Sequence, residues 1–186
     1  IYLDLCDDQW RVVEVTAAGW RVMPHSPVMF TRTREMLALP EPIRESVDAL
    51  PDIDSVETGE KNQQAGIGRL KSFVNVEAED FPLIYGFLLG VLRGLKPYPV
   101  LILQGESGTG KTTTSTCIKQ LVDPTKAAVM FKPKDDHDLL ICAANQHVVA
   151  IDNLSGLSKD LSDKICSIST GAGDSRRKLY TNNELE

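Results

Sequence analysis

From Gly105 to Thr112 the chain reads "GESGTGKT", which fits the spacing G-x-x-x-x-G-K-[ST]. Each residue type in that pattern has a physical role in gripping a polyphosphate. Glycines let the backbone wrap close to the anion and aim successive N–H groups at it, so Gly105, Glu106, Ser107, Gly108, Thr109 and Gly110 form a cradle. A helix beginning where the loop ends adds its positive N-terminal pole. Lys111 then neutralises charge at the β- and γ-phosphates, the Thr112 hydroxyl ligates Mg²⁺, and Thr113 caps the helix or reaches the phosphates. The chemistry indicated is the binding of ATP with Mg²⁺. At average composition this spacing arises by accident in on the order of one chain in a hundred of this length, so a mere glycine-rich turn is the poorer reading.

A second stretch, "VVAIDNLSG" from Val148 to Gly156, is an apolar run that stops on an acid. A parallel strand beside the phosphate loop that ends in a carboxylate sets it next to the metal and its waters, which favours Mg²⁺ over helix capping as the role of Asp152. Asn153 stands where a water-activating carboxylate is usual. An amide cannot take a proton from water, and losing a positioned base costs about 10² to 10⁴ in rate. Either another acid serves, with Glu106 and Asp174 the candidates, or ATP is held rather than turned over.

Positioning these groups requires strands separated by helices. "VLILQ" (Val100 to Gln104) reads as a short, wholly apolar strand, "TTTSTCIKQLV" as a helix, "AAVMFK" as a second strand, "DDHDLLICAAN" as a second helix and "VVAID" as a third strand. Strands with no polar face, alternating with helices, imply an α/β fold whose parallel sheet is covered on both sides. Upstream, a helix is expected from about Glu77 to Leu95, with Pro82 in its opening turn. The first residues, "IYLDLCDDQWRVVEVTAAGWRVM", alternate apolar and polar positions and are broken at Asp7-Asp8 and Ala18-Gly19, as in a small antiparallel meander. Trp10 and Trp20 are expected to pack it. Between them, Glu41 to Glu60 is rich in acids, carries only Arg44 as a base and is punctuated by Pro40, Pro42 and Pro51, the composition of a solvated connector. The division expected is a β-rich region over 1–38, an acidic linker over 39–65 and an ATPase core over 66–186.

Composition narrows the class further. The chain has 186 residues, 42% of them hydrophobic, enough for one sizeable core. The longest apolar run, Phe81 to Leu92, is too short to span a bilayer, and no export signal is visible, so a cytoplasmic protein without a membrane segment is expected. Cys6, Cys117, Cys142 and Cys166 show no metal-ligand or disulfide spacing. His25, His137 and His147 are isolated. With 26 acidic residues against 20 basic ones, the surface as a whole is not a phosphate-binding one, although a local patch can be. Such a patch is "DSRRKLYTNN", where Arg176, Arg177 and Lys178 adjoin Tyr180 and turn-forming residues.

Taken together, "GESGTGKT", the short distance to "VVAIDNLSG", the following "STGAGDSRRKLY" and the upstream helix leading into "YPVLILQG" resemble the superfamily-3 helicases, AAA+-like ATPases of phage, plasmid and viral primase-helicase proteins. The resemblance covers roughly residues 66 to 186. It implies a P-loop NTPase of AAA+ type, a three-layer sandwich with a mostly parallel sheet. It also implies a T-G-G-D element followed by basic residues, forming a hairpin aimed into the channel of a homo-oligomeric ring, here a hexamer, that holds single-stranded DNA. Thr170, Gly171, Asp174, Arg176, Arg177 and Lys178 take those places. The family's next core strand, with its sensor residue, and its catalytic arginines have no counterpart in this sequence, so a chain truncated before the last core strands is expected. The function expected is an ATP-driven DNA helicase-type translocase in the replication of a mobile element. The alternatives are a nucleotide-dependent binding or scaffold protein and, less well supported, a small-molecule kinase.

Overall fold

The computed structural model describes residues 1–43, 66–127, 130–131, 136–154 and 156–171. The basic residues Arg176, Arg177 and Lys178, the alternative base Asp174 and most of the 39–65 connector lie outside the described residues.

The N-terminal meander forms as its alternation predicts. Strands β1 (Tyr2–Asp4), β2 (Val12–Thr16) and β3 (Gly19–Met23) make an antiparallel sheet in the order β1-β2-β3, with Leu3 opposite Val13 and Val13 opposite Val22. Leu5, Val12 and Val13 are buried in it. The β1–β2 connection is held by charge. Asp7 accepts from the Arg11 amide at 3.0 Å and from Arg11 Nε at 2.6 Å, while Arg32 forks onto Asp4 at 2.6 and 2.7 Å. The Arg32 guanidinium also lies 3.8 Å from the centre of the Trp10 ring, the geometry of a cation–π contact. Trp10 is nonetheless 54% exposed, so it covers the arginine where packing of the sheet was expected.

Helices α1 (Gly66–Phe73), α2 (Phe81–Arg93) and α3 (Lys111–Val122) share one core in which Leu70, Val74, Ile84, Leu88 and Ile118 are buried together. On α2 the buried residues Ile84, Leu88 and Val91 fall at the i, i+4, i+7 spacing of one helical face. The helix starts at Phe81, four residues later than expected, because Pro82 belongs in the first turn, where its missing N–H has no partner to lose. It ends at Gly94, whose φ of 62° lets its N–H reach back to the Gly90 and Val91 carbonyls.

The remaining elements are β4 (Met130–Phe131), α4 (Asp136–Asn145), β5 (Ile151–Asp152) and α5 (Lys159–Thr170). β4 and β5 pair in parallel, Met130 with Ile151 and Phe131 with Asp152, with α4 as the crossover between them. Both strands are shorter than the apolar runs that predicted them. Val100 to Gln104 is not a strand: among the described residues it joins no ladder. Its residues still alternate, Leu101 and Leu103 half-buried while Val100 and Ile102 are 53% and 62% exposed. A strand is defined by its neighbour's hydrogen bonds, and apolar composition alone cannot supply one. Helix α5 extends the acid-ended strand's connection and is capped by Ser158, whose hydroxyl accepts from the Leu161 amide. Among the described residues no helix is long and apolar enough to cross a membrane.

An extended segment joins the two parts. Leu39 donates to the Leu5 carbonyl, Leu37 to the Pro124 carbonyl and Lys126 to the Glu35 carbonyl, and Met36 makes a bridge with Thr125. The N-terminal sheet is thereby attached to the loop that follows α3.

The meander's charge network should make its stability acid-sensitive. The Arg11 hydrogen bonds hold the Asp7 carboxyl below its ordinary range, and Arg21, with Tyr2, does the same for Glu14. Both folded-state pKa values are depressed, so their contribution is present above the unfolded carboxylate value of about 4 and is lost as pH falls through the folded values. Trp10 and Trp20, the chain's two tryptophans, both lie in this region. Tryptophan-detected melting should therefore show a midpoint that drops below about pH 4, and Asp7→Asn should flatten that drop. An acid profile identical to that of the parent would remove Asp7 from the account.

Candidate functional site

The glycine loop sits between the apolar segment 100–104 and α3, and its conformation depends on residues without a side chain. Gly110 caps α3 at φ 82°, a left-handed backbone that an L side chain resists, and a Cβ on Gly105 would come within 2.9 Å of Thr109 Oγ1. Glu106 to Thr109 form a tight turn in which the Thr109 amide and hydroxyl both donate to the Glu106 carbonyl. Ser107 and Gly108 are exposed at its tip. No side-chain cap covers the N-terminus of α3, so the first-turn N–H groups face the loop.

Lys111 folds back over this loop. Its Nζ donates to the Gly105 carbonyl at 2.9 Å and to the Glu106 carbonyl at 2.6 Å. A positive charge is thus held against the loop by two neutral carbonyls, partners that an anion would outcompete. Thr112, next on the helix, donates from Oγ1 to Asp152 Oδ2 at 2.8 Å. The other carboxylate oxygen, Oδ1, accepts from the Asn153 amide at 2.8 Å. Two hydrogen bonds therefore orient the Asp152 carboxylate at the C-terminal end of β5, beside the start of α3. Thr113 is exposed in the first turn.

Thr112 and Asp152 are both hard oxygen donors, the set Mg²⁺ accepts when phosphate and water supply the remaining ligands. Among the described residues no group of three His, Cys, Asp or Glu could hold a metal, so a divalent ion here would lean on a bound phosphate.

Asn153 has a backbone explanation that its sequence position did not reveal. Its φ is 58°, inside the left-handed region, where asparagine is among the few non-glycine residues readily accommodated. The chain turns sharply off β5 at this residue, and the turn lets the Asn153 N–H reach Asp152.

Sequence reasoning missed three contributors. Asn75, just beyond α1, donates from Nδ2 to the Thr109 carbonyl at 3.0 Å and braces the loop from outside. Lys119 and Asp123, at the far end of α3, are buried and paired. An isolated asparagine has no sequence signature, and Lys119 and Asp123 lie at the i, i+4 spacing typical of surface ion pairs.

Residues 66–186, well over half of the chain and including the glycine loop, Asp152 and α5, match the family model of the actinomycete integrative conjugative element replication protein. The chain belongs to that family. It is therefore a replication protein of a mobile element, which agrees with the coarser part of what the sequence motifs implied. No curated protein and no solved structure matches it. The match begins at the first residue of α1, so the β1–β3 meander of this replication protein lies outside the matched segment.

If the role of Asn153 is conformational, Asn153→Gly should leave folding stability nearly unchanged. Asn153→Val should cost about 1–2 kcal/mol, read by urea denaturation. Equal stability of the two variants would show that the left-handed turn is not what selects the asparagine.

Proposed function

We propose that this replication protein is a Mg²⁺-dependent ATPase that drives movement along single-stranded DNA during replication of its element. The observation that carries the reading is the 2.8 Å contact between Thr112 and Asp152 at the end of a glycine loop over which Lys111 is folded. In this reading an incoming triphosphate takes the place of the Gly105 and Glu106 carbonyls as partner of Lys111 and lies against the N-terminus of α3. Thr112 and Asp152 would hold Mg²⁺, which would offset phosphate charge. Asn75 keeps the loop from opening through its bond to Thr109. The basic run Arg176, Arg177 and Lys178 supplies the DNA contact, and a homo-oligomeric ring, a hexamer by resemblance to superfamily-3 helicases, concentrates those charges on one strand while the net charge of each chain stays at −6.

A second reading is favoured by Asn153: with an amide at that position, the protein binds ATP and acts as a nucleotide-dependent scaffold. The two readings separate in a single set of measurements. Lys111→Ala should weaken ATP binding by at least about tenfold, through loss of a charged hydrogen-bond donor. Asp152→Asn should raise the Mg²⁺ requirement while leaving magnesium-free nucleotide binding close to that of the parent. Single-stranded DNA should stimulate hydrolysis in the parent and fail to do so in Arg177→Ala. Nucleotide binding without any DNA stimulation would replace the translocase reading with the scaffold, and no effect of Lys111→Ala on ATP affinity would end both.

A further inference from the structure

The structure contains a charged pair that the proposed chemistry does not touch. Lys119 is completely buried and Asp123 is 4% exposed. Lys119 Nζ lies 2.8 Å from Asp123 Oδ2. The same two side chains also hold both backbone groups of one residue on the neighbouring segment: Lys119 Nζ donates to the Val148 carbonyl at 2.6 Å, and the Val148 amide donates to Asp123 Oδ2 at 2.9 Å. Val148 is itself buried. In a sheet, the N–H and C=O of one residue are satisfied by an adjacent strand. Here a helix does that with two side chains.

Helix stability does not account for the pair. An acid at the C-terminal end of α3 opposes the helix dipole, and a lysine preceding an acid by four residues is the less favourable order. Burying the two charges also removes their hydration, which their mutual attraction commonly fails to recover beyond what an apolar pair would provide. The position of Val148 gives the pair a role. Val148 lies four residues before Asp152, and Lys119 seven residues after Thr112. Seven helical residues span about 10 Å, and the four residues from the bend at Val148 to the end of β5 cover the same stretch of the helix. The helix and the 148–152 segment thus run side by side in opposite directions and are tied at both ends, by Thr112 to Asp152 at one and by Lys119 and Asp123 to Val148 at the other.

We propose that Lys119 and Asp123 are positioning residues for the Mg²⁺ site: by gripping Val148 they set how far along α3 the Asp152 carboxylate falls, and so keep it level with Thr112. A slip of one residue at Val148 would turn the Asp152 side chain to the opposite face of its strand. This inference rests on the ATPase reading for its metal but not for its geometry, and the test uses both.

The double variant Lys119→Met/Asp123→Leu removes both charges without leaving either one buried alone. Folded variant protein, verified by circular dichroism, should need about tenfold more Mg²⁺ for half-maximal binding of a fluorescent ATP analogue, the loss typical when a supporting partner of a metal ligand is removed. Its affinity for the analogue in EDTA should stay within about twofold of the parent, because Lys111 and the glycine loop are untouched; a merely structural role would lower both affinities together. Amide exchange over 148–152 should accelerate by about tenfold or more while α2 keeps its protection. Parent-like Mg²⁺ dependence together with parent-like exchange would overturn the proposal. A readout that needs no variant guards against misfolding: in the unaltered protein the Val148 amide should be strongly protected, and rapid exchange there would overturn the proposal by itself. If the unaltered protein binds no nucleotide, the ATPase reading fails, and the exchange data still decide whether the pair holds the strand.

Discussion

The antiparallel alignment of helix α3 with the segment ending at Asp152 is the constraint on which the rest of the site depends. The glycine loop delivers Lys111 and Thr112 at the helix start, whereas Asp152 arrives from the far side of a crossover through β4 and α4. Chain connectivity alone does not make those groups meet. They meet because the helix is hydrogen-bonded to the other segment at both ends, and the lower tie is a buried Lys–Asp pair that substitutes for a strand partner. Two ties a helix length apart fix rotation as well as distance.

The N-terminal region attaches just beyond the end of the same helix. Residues 35–37 pair with 124–126, immediately after Asp123, and Thr125 is 1% exposed beneath that contact. On the other side, Tyr98 exchanges hydrogen bonds with Ser169 near the end of α5, so the segment leading into the glycine loop is also joined to the helix that precedes the basic run. The candidate site therefore lies at a junction of three parts of the chain.

Asn153 shows how one residue can carry two constraints. Read as chemistry, it is an amide that cannot take a proton from water. Read as backbone, it is a residue at φ 58° whose N–H completes the orientation of Asp152. The backbone requirement holds whichever way the chemical question is decided, because a glutamate at this place would have to adopt the same left-handed turn.

What was legible in the sequence was local. The alternation of residues 1–23 and its two breaks announced the meander, Pro82 announced α2 though not its ends, and the spacing from Gly105 to Thr112 specified a loop with a helix behind it. Each is a matter of backbone preference or short-range periodicity, which the chain carries residue by residue. Pairing was not legible. The apolar run 100–104 reads as a strand but joins no ladder among the described residues, while β4 and β5 pair over only two residues each. Asn75, Lys119 and Asp123 carried no signal either, since a polar side chain 29 or 34 positions from its partner looks like any surface residue until the fold closes. Sequence by itself determined where the glycine loop lies and which residues stand at its fixed positions, because that depends on residue type at fixed spacing. Only the tertiary structure decided that Asp152 stands level with Thr112, because that depends on burying a charged pair whose members acquire their partner when helix and strand come together.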